Sequence, residues 1–294
     1  MPGRSPDRGM TVSTVLGRRL GGELLRMREA LGLRQVHAAE ALTASVAKVA
    51  KMERGLVPMR DPDVRALCHL YGETDAALID GLLGLARLDR ERRRAKGWWQ
   101  QAYGKDAFAE YVSMEDVATR IRTWQLSLVP GLLQTPEYIR ALAVTGDWWM
   151  DRPDEIEVMV EARLKRQARL WGDEPLQLHA VIWEAALRQE VGGPEVLRAQ
   201  LAHLVDMARR PNVCVQVLPF RIGAHSGMGG VFNVLSFAEP DALDVAYAEG
   251  PAGAVWTESQ ESTRPHLKAF DELSRRSLPP HNSRVLIENL SKGI

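Results

Sequence analysis

The chain has 294 residues, 45% apolar and 26% charged, enough for two ordinary domains with a sizeable core and unlike a disordered composition. Its formal net charge is zero, which alone argues against a polyanionic partner, yet residues 1–96 carry 18 Lys+Arg against 12 Asp+Glu, a surplus of +6 offset by −6 in the remainder. No apolar run approaches the roughly 20 residues that span a bilayer, and the start lacks the apolar stretch of a signal peptide, so the expected setting is cytoplasmic and the expected membrane role is none.

Residues 1–13, rich in Pro, Gly, Arg and Asp, read as a disordered arm. The spacing of Leu20, Leu24, Met27 and Leu31 predicts a helix from about Leu16 to Leu31, stopped by Gly32. A short second helix follows from Gln35 to Leu42, whose Ala38 and Ala39 allow close approach. Thr43-Ala44 makes a turn, and Ser45 caps a third helix, Val46 to Arg54. Val49 and Met52 point inward there, leaving Val46, Ala47, Ala50 and Lys51 outward, and Gly55 ends the helix. Two short helices joined by a tight turn are a helix-turn-helix, and its third helix is the one that enters a major groove. Asp61 and Pro62 then start a fourth helix to Leu70, and Thr74 caps a fifth with Leu78, Leu82 and Leu85 beside Ile79, Leu83 and Ala86. Its basic tail, Arg87 to Lys96, reads chiefly as a solvated helix end, with contact to phosphate or an acidic partner as the alternative.

Beyond Gly97 the character changes, because all eight tryptophans lie there. Helices are expected at about Met114–Ile121, Pro136–Val144, Pro153–Trp171, Pro194–Arg209, Glu258–Ser274 and Pro280–Leu290. Strands are expected at Leu176–Trp183, Val213–Leu218, Val231–Phe237 and Leu243–Ala248. The fold class is therefore α+β: an all-α domain of five helices over residues 14–96, then a mixed α+β domain with a small sheet over 97–294. Cys68 falls on a helix and Cys214 on a strand, which suits buried free thiols rather than a disulfide.

In the second domain, Trp183-Glu184-Ala185-Ala186-Leu187-Arg188 spans a strand-to-helix passage and sets Glu184 and Arg188 four residues apart, where they pair or reach a cleft. With the flexible loop His225-Ser226-Gly227-Met228-Gly229-Gly230 and with Glu249, the set Trp183, Glu184, Arg188, His225 and Glu249 is a candidate polar mouth over a tryptophan-lined cavity. A structural network is the equal alternative for each residue. Trp98-Trp99 and Trp148-Trp149-Met150 read as packing, with a ligand lid as the minor alternative. Ser226 is not in G-x-S-x-G, because Ala224 and Met228 occupy the outer positions, and there is no H-E-x-x-H, C-x-x-C or Walker loop. No catalytic residue, metal or cofactor is expected.

These segments together resemble actinobacterial transcriptional regulators of the lambda-repressor-like (XRE) class that carry a second, C-terminal domain. The likeness rests on Leu24 to Leu33, Gln35, Ser45, Lys48-Val49, Glu53 and Gly55. In the second part it rests on Gly97-Trp98-Trp99, Val129 to Thr135, Glu184 to Arg188, Val215 to Phe220 and His225 to Gly230. The resemblance implies a lambda-repressor-like first domain, a double-stranded DNA partner, a role in specialised metabolism or development, and a C-terminal domain that senses a small molecule or partner protein. It also implies that Glu53 pairs with Arg26 or Arg28. Gln35, Ser45, Val46, Ala47, Lys48, Lys51 and Arg54 are the candidate DNA-binding residues, with Arg60 a further phosphate contact, and a homodimer is expected because such modules read two half-sites. The chain departs from the pattern in having Val46 and Ala47 where the group usually has Gln and Ser. A bidentate Gln-to-adenine contact, worth roughly 1–3 kcal/mol of discrimination, is thereby lost. The alternative from another class is a non-regulatory ligand-binding protein or repurposed enzyme that keeps the helix-turn-helix as scaffold.

Overall fold

The computed structural model describes residues 14–94, 107–145, 153–238, 244–250, 253–257 and 260–294. The chain divides into two compact units, residues 1–96 and 97–294. The expected arm at 1–13 and the Trp98-Trp99 and Trp148-Trp149 pairs lie outside the described residues.

The first unit holds α1 (Val15–Ala30), α2 (Gln35–Ala41), α3 (Val46–Glu53), α4 (Asp61–Leu70) and α5 (Ala76–Arg94). Thr14 caps α1 through a 3.0 Å bond from Gly17 N to its hydroxyl. Leu20, Leu24, Val49, Met52, Val64, Leu67, Leu82 and Ala86 meet in one core. Leu31 and Leu78, both expected to be buried, are 53% and 40% exposed; α1 ends before Leu31, and Leu78 falls in the first turn of α5. Asp75, not Thr74, caps α5, with its carboxylate accepting from Ala77 N at 2.9 Å. Arg60 rather than Asp61 is the residue before α4.

Glycine sets the crossing of α1 and α3. A Cβ on Gly21 would lie 2.4 Å from Met52 O, and one on Gly55 would lie 2.2 Å from Arg18 N. Gly55 also has φ +66°, the left-handed region that ends α3.

The second unit is built on six strands: β1 (Arg120–Gln125), β2 (Gln177–Trp183), β3 (Val213–Leu218), β4 (Phe232–Ser236), β5 (Val245–Gly250) and β6 (Gly253–Thr257). Their order is β3-β2-β1-β4-β5-β6, parallel on the β3-β2-β1 side and antiparallel beyond β1. Two strands are additional to the four expected. Residues 114–121 were expected to be helical, but α6 (Ala107–Glu115) stops at Glu115 and β1 begins at Arg120 with side chains that alternate across the sheet. The parallel crossovers carry α7 (Pro136–Thr145), α8 (Pro153–Gln167) and α9 (Pro194–Met207), and α10 (Gln260–Arg276) and α11 (Pro280–Lys292) follow the sheet. Thr135 starts α7 by accepting from Tyr138 N at 3.3 Å.

The two faces of the sheet differ. Trp124, Val181, Phe232, Val234 and Ala246 pack with Phe270 and Leu273 of α10. Ile121, Thr123, Asn233 and Tyr247 project from the other face, toward α6 and α8. The edge strand β3 is covered: Leu278 N donates to Val217 O at 2.9 Å, and Val217 N donates to the Ser283 hydroxyl at 2.9 Å. Cys68 and Cys214 are free thiols, Cys68 buried and Cys214 half-buried. Among the described residues, no helix is long and apolar enough to cross a membrane.

Candidate functional site

In the first unit the candidate interface is the outer face of α3. Ser45 caps it, accepting from Lys48 N at 3.2 Å, and this fixes the first turn, where Val46 and Ala47 are exposed. Lys51 and Arg54 are also exposed, and Lys48 is half-buried. The orientation of this face comes from one buried carboxylate. Glu53 accepts from Arg28 Nε at 2.6 Å, from Arg28 Nη2 at 3.2 Å and from Gln35 Nε2 at 2.6 Å. Arg28 Nη1 also donates to Leu33 O at 2.5 Å. Thus α1, α2 and α3 close on a single acid, and the hydrogen bonds that Arg28 donates to Glu53 hold the guanidinium above its ordinary pKa despite burial. Burial and the Glu53 charge push the neighbouring Tyr71 hydroxyl up to about 12, so it stays neutral.

These contacts decide between sequence alternatives. Glu53 pairs with Arg28, whereas Arg26 pairs with Glu23. Gln35, expected at phosphate, spends an amide N–H on Glu53 and so braces the recognition helix. Lys48 lies 3.9 Å from Asp63, and Arg60 holds Asp63 at 3.2 Å. Burial raises the pKa of the Asp63 carboxyl, but Arg60 and Lys48 outweigh it and lower the net value. The basic tail is partly folded inward: Arg90 reaches Met59 O and Asp61 at 2.6 Å each, and Arg93 reaches Gly55 O at 2.6 Å.

The second-unit set does not assemble as expected. Glu184 accepts from Arg188 Nε at 2.8 Å and from Phe220 N at 2.9 Å, so its carboxylate is occupied in holding β2 to the turn after β3. Trp183 and His225 lie 6.0 Å apart ring to ring, and His225 stands edge-on to Trp124 at 5.3 Å. The 226–230 loop is held rather than loose. Trp124 Nε1 donates to Gly227 O at 2.9 Å, a Cβ on Gly227 would collide with the Trp124 ring at 2.4 Å, and Arg276 grips Ala224 O and Ile222 O at 2.9 and 3.0 Å. Burial, then the Arg276 charge, lowers the His225 pKa.

Glu249 sits on the opposite face. Along β5, Ala246 and Ala248 pack with Trp124, whereas Tyr247 and Glu249 line a separate cavity of about 150 Å³. Its walls are Phe108 and Tyr111 of α6, residues 128–132 with Gln134, and Arg163 and Arg166 of α8; its floor is Thr123, Asn233 and Tyr247, adjacent across β1, β4 and β5. Among the described residues, no tryptophan lines it. Sequence reasoning missed this cavity because its floor lies on β1 and its walls on α6 and α8, distant segments that only the sheet brings together. Among the described residues no cluster of three metal-ligating side chains occurs.

Residues 108–289, more than half of the chain, match the family described as a domain of unknown function, DUF5753. Residues 19–80 match a family described as a helix-turn-helix domain. No curated protein and no solved structure matches the chain.

Proposed function

We propose that this chain, which belongs to the DUF5753 family and carries a helix-turn-helix domain ahead of it, is a DNA-binding transcriptional regulator whose second unit senses a small molecule or partner protein. The observation that carries the reading is the exposed face of α3, braced by the buried Arg28–Glu53–Gln35 contact within a unit of net +6. Rigid bracing of an exposed helix serves docking, because it removes the conformational cost of presenting that face to a groove. Val46 and Ala47 offer methyl groups and no hydrogen bonds to base edges, so affinity rests on cations such as Lys51 and Arg54 against phosphate, and a homodimer on two half-sites multiplies it. A cytoplasmic setting agrees with a DNA partner and two free thiols. Binding rather than catalysis is the activity proposed, since Glu184 is committed to Arg188 and to the Phe220 amide.

Random-site selection with the purified chain, at two ionic strengths, tests this. The expected result is retention of duplexes at low salt, a steep fall with added salt and a shallow consensus. Val46→Gln with Ala47→Ser should sharpen that consensus. A chain that retains no duplex at either salt concentration overturns the regulator.

A further inference from the structure

We propose that the open end of the sheet face beneath α10 is a binding site for a small phosphate monoester, held by Arg120, Arg122 and His179. This deepens the reading of the second unit as a sensor and rests on that reading for its link to DNA.

The register builds the site. Trp124 of β1, Val181 of β2 and Leu218 of β3 pack beneath α10, so Arg120 and Arg122, Gln177 and His179, and Cys214 and Gln216 share that face. Pairing sets His179 between Arg122 and Cys214, with Gln177 beside Arg120 in the next row outward. Phe270 of α10 closes edge-on against His179 at 4.9 Å, whereas Arg120 and Gln177 are exposed. The cover by α10 therefore ends at the His179 row. Beyond it lies a cavity of about 160 Å³ lined by Arg120, Arg122, Gln177, His179, Asn212 and Cys214.

The charge there is one-sided. Among the described residues, Arg122 meets Asp244 through one nitrogen at 3.3 Å, and no acidic side chain pairs with Arg120. The flank of α10 that carries Asp271 and Ser274 adds Arg264, Lys268 and Arg275, three cations to one carboxylate. This surplus sits in a unit that totals −6. A long polyanion is repelled by the unit as a whole, while a single small anion meets the local cations.

His179 supplies the third donor. Gln216 Nε2 donates to Ser274 O at 3.2 Å and to Leu278 O at 3.1 Å, so its Oε1 is turned to accept from the Ser274 hydroxyl and from His179 Nε2, at 2.7 Å each. The ring proton is thereby held on Nε2, and Nδ1 is the nitrogen that titrates. Burial first, then the charges of Arg122 and Arg120, lower the His179 pKa against the opposing effects of Gln216 and Asp271. Cys214 beside it stays a thiol, because burial raises its pKa. A bound dianion offsets the two guanidiniums and favours the imidazolium, so binding draws a proton onto His179 from solvent.

The spacing selects the phosphoryl group. Along β1 the Cα atoms of Arg120 and Arg122 are about 7 Å apart, and across the pair His179 is about 5 Å from Arg122. Three donor side chains at the corners of such a triangle match the three terminal oxygens of a phosphate monoester, whereas a carboxylate offers two in one plane. A cavity of about 160 Å³ holds that group with a stem of a few carbon atoms.

Calorimetry of the full chain with inorganic phosphate, glycerol 3-phosphate, inorganic sulfate and citrate, in buffers of different ionisation heat, tests the site. The expected result is saturable binding of glycerol 3-phosphate with proton uptake, at least about tenfold tighter than sulfate or citrate. Arg120→Gln, at an exposed position, should weaken it at least about tenfold with the urea midpoint unchanged, while Lys292→Gln, exposed at the end of α11, should leave it as it is. His179→Gln keeps a donor toward Gln216 and should lower the proton uptake, a signature that lost packing does not produce.

No heat with any of the four probes overturns the site, whatever the chain does with DNA. Binding that survives Arg120→Gln undiminished, or that Lys292→Gln weakens as much, overturns the assignment. Citrate as tight as glycerol 3-phosphate overturns the phosphoryl group, and a duplex weakened by Arg120→Gln as much as glycerol 3-phosphate is overturns the small ligand in favour of a nucleic-acid backbone. Ester binding that leaves duplex affinity unchanged at matched ionic strength upholds the site and counts against the sensor alone. Ester binding by a chain that retains no duplex upholds the site while the regulator falls.

Discussion

Arg28–Glu53 in the first unit and Arg166–Glu115 in the second are the same chemical pair. Each is a guanidinium held to a carboxylate by two hydrogen bonds, with both side chains almost withdrawn from water. Their surroundings differ. Glu53 takes a third hydrogen bond from Gln35, and Arg28 donates to a carbonyl at Leu33, so the pair ties three helices at one point. Arg166 instead lies over the rings of Phe108 and Tyr111, at 5.2 and 5.7 Å, and the pair forms part of a cavity wall. Burying two charges costs about as much as their attraction returns, so neither pair is understood as net stabilisation. What each supplies is arrangement: an oriented helix in one unit, a held-open space in the other.

The largest effects come from breaking each pair on one side. Arg28→Met leaves Glu53 buried against Gln35 alone, and Arg166→Met leaves Glu115 buried beside aromatic rings; each should cost its own unit about 3–5 kcal/mol. All eight tryptophans belong to residues 97–294, so tryptophan fluorescence in a urea titration reads the second unit, and far-ultraviolet circular dichroism reads both. The fluorescence transition should move with Arg166→Met and stay with Arg28→Met. Movement of equal size in both variants would break the comparison. Removing both partners of the second pair, Arg166→Met with Glu115→Leu, should restore most of the stability, which separates arrangement from energy.

A smaller effect belongs to the backbone that the first pair serves. Gly55→Ala puts a Cβ into the main chain of α1 at a positive φ, and a loss of about 1–3 kcal/mol is expected in the first unit alone. Ser45→Ala removes the cap of α3 and should cost about 1 kcal/mol. Both are read by the circular dichroism midpoint and by duplex retention, and a Ser45→Ala variant with full stability and full retention would show that the cap does not set the interface.

The sequence made the first unit nearly transparent because its signals are local. Gly32 and Gly55 stop helices, Ser45 starts one, and apolar spacing marks each inward face. What it withheld there was pairing: nothing in the spacing chooses Arg28 over Arg26 for Glu53, or turns Gln35 inward. In the second unit the alternation of Tyr247 and Glu249 against Ala246 and Ala248 is present, but alternation does not say which face α10 covers, and so the sequence alone groups Glu249 with His225. The first two residues of β1 read as the end of a helix over Met114–Ile121, because Arg120 reads as polar surface until neighbouring strands flank it. β6 is short and defined only by its pairing with β5.

Acid should separate the units by the smallest margin. Burial lowers the pKa of His179, and of His203 and His225, while Gln216 opposes the shift at His179 and Asp206 opposes it at His203. A histidine whose folded pKa lies below its unfolded value of 6.5 takes up protons first in the unfolded chain. Its contribution is therefore complete above that value and is lost as pH falls through the folded pKa. The urea midpoint read by tryptophan fluorescence should decline from pH 7 to pH 5. The lowered carboxyl of Asp63, in the first unit, follows the same sign at lower pH, since its stabilisation is lost only as pH falls below the ordinary 3.8. Replacing His179 by Gln, which keeps a donor toward Gln216 and cannot charge, should flatten part of the decline. An unchanged slope in that variant would assign the acid response to His203 and His225, outside the His179–Gln216–Ser274 contact that ties β2 and β3 to α10.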